Sequence, residues 1–285
     1  MDTTRFDSRR YVASGRILRW LFRHPRIVSG VVRNWLLPWI KEYDVTYGGL
    51  KWRLHPSDND TDLEIWALGH TNEEAEIDWL QSHFAGRRIC FFDIGANSGV
   101  YAIRVGQAIS PESRIFAVEP NPIMCERLRT NLALNDVGNV QVLECAIAAE
   151  RGEMRLRFPK PRKFGSASLH PDVGIGESDF KVDVAPLPEL VNDHGVERID
   201  LLKIDVEGFE DQVLCPYLDT ASDKSLPEVI CLEHKYRKRW RTNLLKKAVE
   251  RGYAVAVEND RNWILELADR RSTPAGSTAS ADLLP

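Results

Sequence analysis

From about residue 88 onward, short apolar runs ending in polar or glycine-rich turns alternate with longer stretches of helical periodicity. The runs Arg88–Phe92, Arg114–Val118, Val140–Leu143, Ile199–Ile204 and Val229–Leu232 predict strands, with helices near 98–109, 121–135, 208–218 and 242–251 between them. Strands that are almost continuously apolar are buried on both faces, and their alternation with helices predicts an α/β fold with a doubly wound, mostly parallel sheet. Tyr253–Glu258 and Trp263–Leu267, joined by Asn259-Asp260-Arg261-Asn262, read as an antiparallel hairpin that completes seven strands. Between Glu150 and Leu190 the rhythm stops, and Met154–Phe158 and Phe180–Val184 read as alternating strands around a loop containing Gly and Ser.

Residues 8–40 predict two helices split at Pro25, which suits the first turn of the second. Arg16, Arg19, Arg23 and Arg26 share one face, and Ile17, Leu18, Leu21 and Phe22 cover another. Such an element either caps the main domain or lies peripherally on an anionic membrane or a partner, where Trp20, Trp35 and Trp39 would favour the interface. Three segments follow: a basic helical extension over 1–45, a domain over 46–270, and a Ser/Thr/Ala/Pro/Gly-rich tail over 271–285 expected to be disordered.

Composition narrows the class. The chain has 285 residues, 43% hydrophobic and 28% charged, with net charge -4, which is globular and excludes disordered, fibrous and membrane-embedded classes. That net charge hides an asymmetry, because residues 1–41 carry nine Lys or Arg against Asp2 and Asp7. The five cysteines are odd in number and widely spaced, with no C-x-x-C, so neither a disulfide framework nor a zinc site is indicated. No uncharged apolar run reaches the ~18 residues of a membrane span, and the start of the chain lacks a signal-peptide pattern. A cytoplasmic protein is expected, with peripheral membrane contact through residues 8–40 as the open alternative.

The sharpest chemical signal is Phe92-Asp93-Ile94-Gly95-Ala96-Asn97-Ser98-Gly99-Val100-Tyr101, a strand entering a glycine turn that opens a helix. Glycines there allow backbone to approach a ligand at the carboxyl end of a parallel strand, where doubly wound sheets bind ligands. The spacing is G-x-x-x-G, and Asp93 would repel a pyrophosphate but not a sulfonium. Val118-Glu119-Pro120-Asn121 ends the second strand, placing a carboxylate 20 residues past Gly99, where it can accept both hydroxyls of a ribose. Together the two features point to an adenosine-containing ligand.

These segments, with Gly165-Ser166-Ala167-Ser168-Leu169 and Ile199-Asp200-Leu201-Leu202-Lys203-Ile204-Asp205-Val206-Glu207-Gly208-Phe209-Glu210, resemble the FkbM methyltransferases, a branch of the Rossmann-like class I S-adenosylmethionine-dependent fold. The likeness covers about residues 70–258, and the first 45 residues fall outside it. It implies S-adenosylmethionine as cofactor. Asp93, Gly95, Asn97 and Gly99, with Ala96, Ser98 and Tyr101, would line its methionine side. Glu119, beside Pro120, would hold the ribose, and Asn121, Glu144, Cys145 and Ala146 would lie near the adenine. Thr71 and Glu74 belong to a segment that can close over the cofactor in that family, and Ser166 and Ser168 to a substrate-side flap.

Lys203, Asp205 and Glu207 recur with period two and point to one side if the strand persists. Charge in a buried strand is costly unless paired or used, so this reads as the catalytic edge. Asp205, also counted among the cofactor contacts, would orient the acceptor or act as base; Lys203 would offset its charge or be the base if burial depresses its pKa; Glu207 would be a second base or anchor the turn. His234, after the next strand, would overlook the cleft. Asp205, Glu207 and Glu233 are carboxylates able to gather a divalent ion, but nothing in their spacing demands a metal, and none is expected. The basic, aromatic run His234–Arg241 reads as a solvated helix start, not a nucleic-acid site.

The resulting expectation is methyl transfer to a hydroxyl of a glycan or small-molecule metabolite. Two other classes stay open: a catalytically silent cofactor-binding adaptor acting through residues 8–40, and a nucleotide-dependent oxidoreductase, disfavoured by the absent third glycine and by Asp93. Nothing in the sequence sets the oligomeric state.

Overall fold

A computed structural model describes residues 42–158, 164–173 and 179–268, with Trp20, Leu37 and Ile40. The expected helical extension and the tail lie outside the described residues, apart from those three positions. Among the described elements a hairpin comes first: β1 (Tyr43–Tyr47) and β2 (Leu50–Leu54) turn at Gly48-Gly49, where both φ values are positive (58° and 77°). It spans the boundary expected at residues 45/46. Helix α1 (Asp60–Leu68) follows, N-capped by Asn59, and then α2 (Glu74–His83).

The α/β core alternates β3 (Cys90–Ile94), α3 (Val100–Ala108), β4 (Arg114–Val118), α4 (Pro122–Leu134) and β5 (Val140–Leu143). An accessory three-stranded sheet then interrupts the rhythm: β6 (Ala146–Ile147), β7 (Gly152–Leu156) and β8 (Phe180–Ala185), in order β6-β8-β7. The two strands expected after Glu150 are its antiparallel pair, with Met154 opposite Val182. The core resumes with α5 (Leu187–Asp193), β9 (Leu201–Ile204), α6 (Glu210–Thr220), β10 (Val229–Glu233), α7 (Leu244–Glu250), β11 (Tyr253–Glu258) and β12 (Asn262–Leu267).

The main sheet has seven strands in the order β11-β12-β10-β9-β3-β4-β5. β10, β9, β3, β4 and β5 run parallel, and β12 enters antiparallel beside β10. The chain winds one way from β3 through β4 to β5 and returns to add β9 and β10 on the other side, so the fold is a doubly wound, Rossmann-like sheet of the class I methyltransferase type. The order reverses between β3 and β9, and such a switch point leaves a crevice beyond the carboxyl ends of the strands.

Two apolar clusters cover the two faces. Phe92, Ile94, Phe116, Val118, Leu202, Ile204, Ile230 and Leu232 belong to one, and Phe91, Ile115, Ala117, Leu201, Val229 and Cys231 to the other. The same alternation puts Asp93, Lys203 and Glu233 on the second face, the one covered by α2 and α3. Asp93 and Lys203 are direct partners in the β3–β9 register.

Candidate active site

A cleft of about 1050 Å³, mouth included, opens beyond the carboxyl ends of β3, β4, β9 and β10. Of the residues expected from sequence, Gly95, Asn97, Glu119, Pro120, Cys145, Ala146, Ser166, Ser168, Asp205 and Glu207 line it. Asn59, Asp60, Glu64, Glu73, Glu233 and Arg261 line it as well and were not assigned to the cofactor or substrate from sequence.

Glu119 lies at the end of β4, only 7% exposed. Its Oε2 accepts the Asn97 N–H and its Oε1 the Asn121 N–H, both at 2.9 Å. Each oxygen keeps lone-pair capacity for one more donor from the cleft. Burial pushes its pKa up to about 7, with the two backbone N–H groups holding it back.

The glycine turn is shaped by protein contacts. Gly95 has φ +77°, and a Cβ there would stand 1.8 Å from the Asp205 carbonyl oxygen. Gly99 has φ +95°, and its Cβ would meet Leu128 at 2.3 Å. The close backbone approach expected toward a ligand is thus made to the β9 strand end and to α4, and Gly99 does not reach the cleft wall. Asn97, at φ +52°, accepts from Asn59 Nδ2 (2.6 Å) and donates from Nδ2 to the Gly165 carbonyl (3.0 Å). Asn121 caps α4 by accepting the Ile123 N–H and donates to the Phe164 carbonyl at 3.1 Å. It therefore fastens the 164–168 flap over the cleft instead of facing an adenine.

Asp93 is fully buried and absent from the wall. Its Oδ2 accepts the Ala102 N–H (3.0 Å) and its Oδ1 lies 3.4 Å from Lys203 Nζ, so it balances a buried ammonium where a sulfonium contact was expected. Ala96 is buried. Ser98 is buried too and donates to Asp62 Oδ1 at 2.9 Å. Tyr101 packs its ring 5.1 Å from Lys203 Nζ. Glu144 pairs with Arg129 at the surface. None of the four lines the cleft.

At the predicted catalytic edge, Lys203 Nζ donates to the Gly95 carbonyl at 2.9 Å and lies 3.9 Å from Asp205 Oδ2. Burial alone would lower its pKa, but Asp93, Asp205 and Glu73 together raise it above the ordinary lysine value. The reading of Lys203 as a base is corrected accordingly: it is a fixed cation that joins two strand ends.

β9 stops at Ile204, so Glu207 does not reach the cleft by strand alternation. It arrives through a turn in which its own φ is +56°, a costly conformation for a non-glycine residue that is often found at functional sites. Arg239 Nη1 (3.0 Å) and Ser168 Oγ (3.1 Å) both donate to its carbonyl and hold the turn. Glu210 accepts the Val206 and Gly208 N–H groups on Oε1 and the Trp240 indole N–H on Oε2. Burial first, and the Asp205 charge second, push the Glu207 and Glu73 carboxyls upward. Glu233 is raised by the same two causes.

His234, one residue past Glu233, falls on the opposite face of the sheet. Its ring stacks on Trp263 (centroids 4.2 Å apart) and its Nε2 lies 2.9 Å from the Asn259 carbonyl, away from the cleft, so it is not placed to act as a base. Thr71 accepts the Glu73 N–H. Glu74 turns back to accept from Tyr47 and the Thr71 N–H, with Arg104 at 3.3 Å. Successive residues at a helix start point about 100° apart, and so Glu73, not Glu74, faces the cleft.

Residues 93–270 match the family described as the methyltransferase FkbM domain. Among curated proteins, methyltransferase sdnD of Sordaria araneosa is 33% identical over 151 residues, which is 43% of this chain and 58% of that protein. The 31-O-demethyl-FK506 methyltransferase FkbM of Streptomyces tacrolimicus is 28% identical, covering 43% of this chain and 57% of its own. The hexuronic acid methyltransferase AglP of Haloferax volcanii is 27% identical, covering 53% and 59%. The chain thus spans under three fifths of the length of these relatives. A solved methyltransferase FkbM from Methylobacillus flagellatus aligns over 64% of this chain and 44% of that one, at 16% identity and a TM-score of 0.44.

Proposed function

The chain belongs to the FkbM methyltransferase family, and on that premise we propose that it is an S-adenosylmethionine-dependent O-methyltransferase acting on a hydroxyl of a glycan or small metabolite. One observation carries the reading: Glu119 and Asp205, from strand ends on either side of β3, line a single cleft.

The donor set fits the cofactor. Glu119 offers two buried carboxylate oxygens, each with capacity for one more donor, as a ribose diol requires. Ile94, Val118, Ala146, Leu156 and Phe164 supply apolar wall, while Glu73, Asp205, Glu207 and Glu233 make the far side attractive to positive charge. When bound, S-adenosylmethionine supplies the electrophilic methyl group.

Asp205 orients the acceptor hydroxyl, with the Lys203 ammonium 3.9 Å behind it. Glu207 takes the hydroxyl proton, since burial and the Asp205 charge raise its proton affinity toward neutrality. The flap, tied to Asn97 and Asn121, excludes water from the reacting atoms. An oxygen acceptor is supported by the 31-O-demethyl-FK506 relative, and a sugar by the hexuronic acid relative.

The test is transfer of radiolabelled methyl to panels of glycans and polyhydroxylated metabolites. Label in a base-stable ether supports the reading, and Glu207→Gln should lower kcat about 100-fold or more. Label found only on nitrogen or carboxylate oxygen contradicts it.

A further inference from the structure

Asp205, Glu210 and Glu233 each bring one carboxylate oxygen to within 4.8 Å of the others; Asp205 and Glu233 line the cleft, and Glu210 is fully buried and does not. The octahedral geometry of a small hard cation, with ligands ~2.1 Å from the ion, sets its oxygens roughly 3 to 4 Å apart, so small side-chain adjustments close the set. Independently, Glu233 is 5% exposed and its Oε2 has no hydrogen-bond partner, although the side chain lines the cleft. A buried, unpartnered carboxylate oxygen among other carboxylates is costly unless something positive meets it.

Neither nearby lysine meets it: Lys235, on the cleft wall, acts on Glu233 and Glu207 by charge alone and has its hydrogen bond to Tyr236, leaving Glu233 Oε2 unpartnered. Lys203 is committed to the Gly95 carbonyl at 2.9 Å and to Asp93 at 3.4 Å, and it touches the cluster only at Asp205, 3.9 Å away. Glu210 is held in place by two backbone N–H groups and an indole N–H, the kind of hydrogen bonding that fixes ligand carboxylates around a metal.

We propose that Asp205, Glu210 and Glu233 bind one divalent cation of the Mg²⁺ or Mn²⁺ class, whose remaining positions take water and the acceptor oxygen. Asp205 and Glu233 reach it from the cleft wall and Glu210 from the buried interior. The cation's role in the reaction rests on the methyltransferase reading; its binding does not. Held against the acceptor, the ion offsets the negative charge that builds on the oxygen as Glu207 takes its proton. This replaces the expectation from spacing that no metal is needed, and it puts Glu210 where the sequence suggested Glu207.

The experiment uses the full chain stripped with a chelator and titrated with Mn²⁺ alone, followed by calorimetry and by the loss of free-ion paramagnetic resonance signal. The expected result is one saturable site per chain, weakened tenfold or more by Glu233→Gln and likewise by Asp205→Asn. The second variant alters a partly exposed side chain and keeps the test decisive if the first does not fold. No saturable binding up to about 1 mM, a concentration that fills even weak cation sites, overturns the site. Binding unchanged in both variants overturns it equally. Titration with S-adenosylhomocysteine in chelator is run alongside: Mn²⁺ binding without nucleoside binding sinks the methyltransferase reading and leaves the cation site, and the converse does the opposite.

Discussion

Lys203 Nζ donates a 2.9 Å hydrogen bond to the carbonyl oxygen of Gly95, fastening the end of β9 to the first residue of the glycine turn. The bond joins the two halves of the cleft, the cofactor side built by β3 and β4 and the acidic side built by β9 and β10. Its donor is also the counter-ion of Asp93. Removing one partner of a buried ion pair leaves the other uncompensated, at a cost of about 3–5 kcal/mol. Lys203→Met should therefore lower Tm by roughly 10 °C for a domain of this size. The Asp93→Asn, Lys203→Met pair should lose less than the two single losses summed. Thermal unfolding of the three variants decides it, and additive losses would show that the pair is not coupled.

Gly95 and Gly49 both sit at φ +77°, but a Cβ at Gly95 would meet the Asp205 carbonyl at 1.8 Å whereas one at Gly49 meets nothing within 4 Å. Gly49→Ala pays only the left-handed backbone penalty, about 1–2 kcal/mol. Gly95→Ala pays that and must displace the β9 strand end, so it should cost at least about 2 kcal/mol more, in the range of overpacking penalties, and lose cofactor binding. Equal denaturation midpoints for the two variants would mean that the strand end is free to move.

Glu119 titrates near pH 7 in the folded chain because burial disfavours its charged form. A carboxyl whose folded pKa lies above its unfolded one holds extra protons in the native state, so the free protein loses stability as pH rises from about 4.5, the ordinary Glu value, through 7. A diol ligand donates to the ionised form, and affinity for S-adenosylhomocysteine should accordingly climb between pH 6 and 8, by about tenfold. Glu119→Gln should flatten that climb, and because its single amide oxygen can face only one of the Asn97 and Asn121 N–H groups, it should lower the Tm of the free protein while weakening the pH dependence of that Tm. A wild-type affinity that falls with pH would contradict this account of Glu119.

Asn121 performs two tasks, capping α4 and tying the flap at Phe164. Asn121→Ser keeps a capping oxygen, at a cost of a few tenths of a kcal/mol, and drops the tie. Stability should fall by about 1 kcal/mol, the lost hydrogen bond to Phe164, while the dissociation rate of S-adenosylhomocysteine, followed by stopped flow, rises several-fold. An unchanged rate would mean that the flap does not gate the cleft.

His234→Phe preserves the stack on Trp263 and removes one hydrogen bond to the Asn259 carbonyl. It should cost about 1 kcal/mol of stability and leave the pH–rate profile in place. A lost ionisation in that profile would return His234 to the reaction.

The parallel strands were legible because buried strands are apolar on both faces: β4 and β5 begin and end where the pattern put them, and the closing hairpin does so within one residue. The β1–β2 hairpin went unread although Gly48-Gly49 carries a turn signal, because its strands are only partly buried and charged residues interrupt their apolar runs. At the site, strand ends spoke for themselves, so Glu119 and Asp205 could be found from spacing. Side-chain direction could not: whether Asp93 meets ligand or Lys203, and whether Glu73 or Glu74 faces the cleft, depends on helices packed from elsewhere in the chain. Asn59, Glu64 and Arg261 reach the wall from outside any motif, and only tertiary packing brings them there.

The central claim is that Glu119 holds an adenosine-containing ligand in the cleft that Asp205 also lines. Calorimetric titration with S-adenosylhomocysteine at pH 8, wild type beside Glu119→Gln, tests it most directly. The account predicts one site per chain and at least tenfold weaker binding by the folded variant, the loss expected when a charged hydrogen-bond acceptor is removed. Folded wild type that does not bind, or a variant that binds equally well, would contradict it.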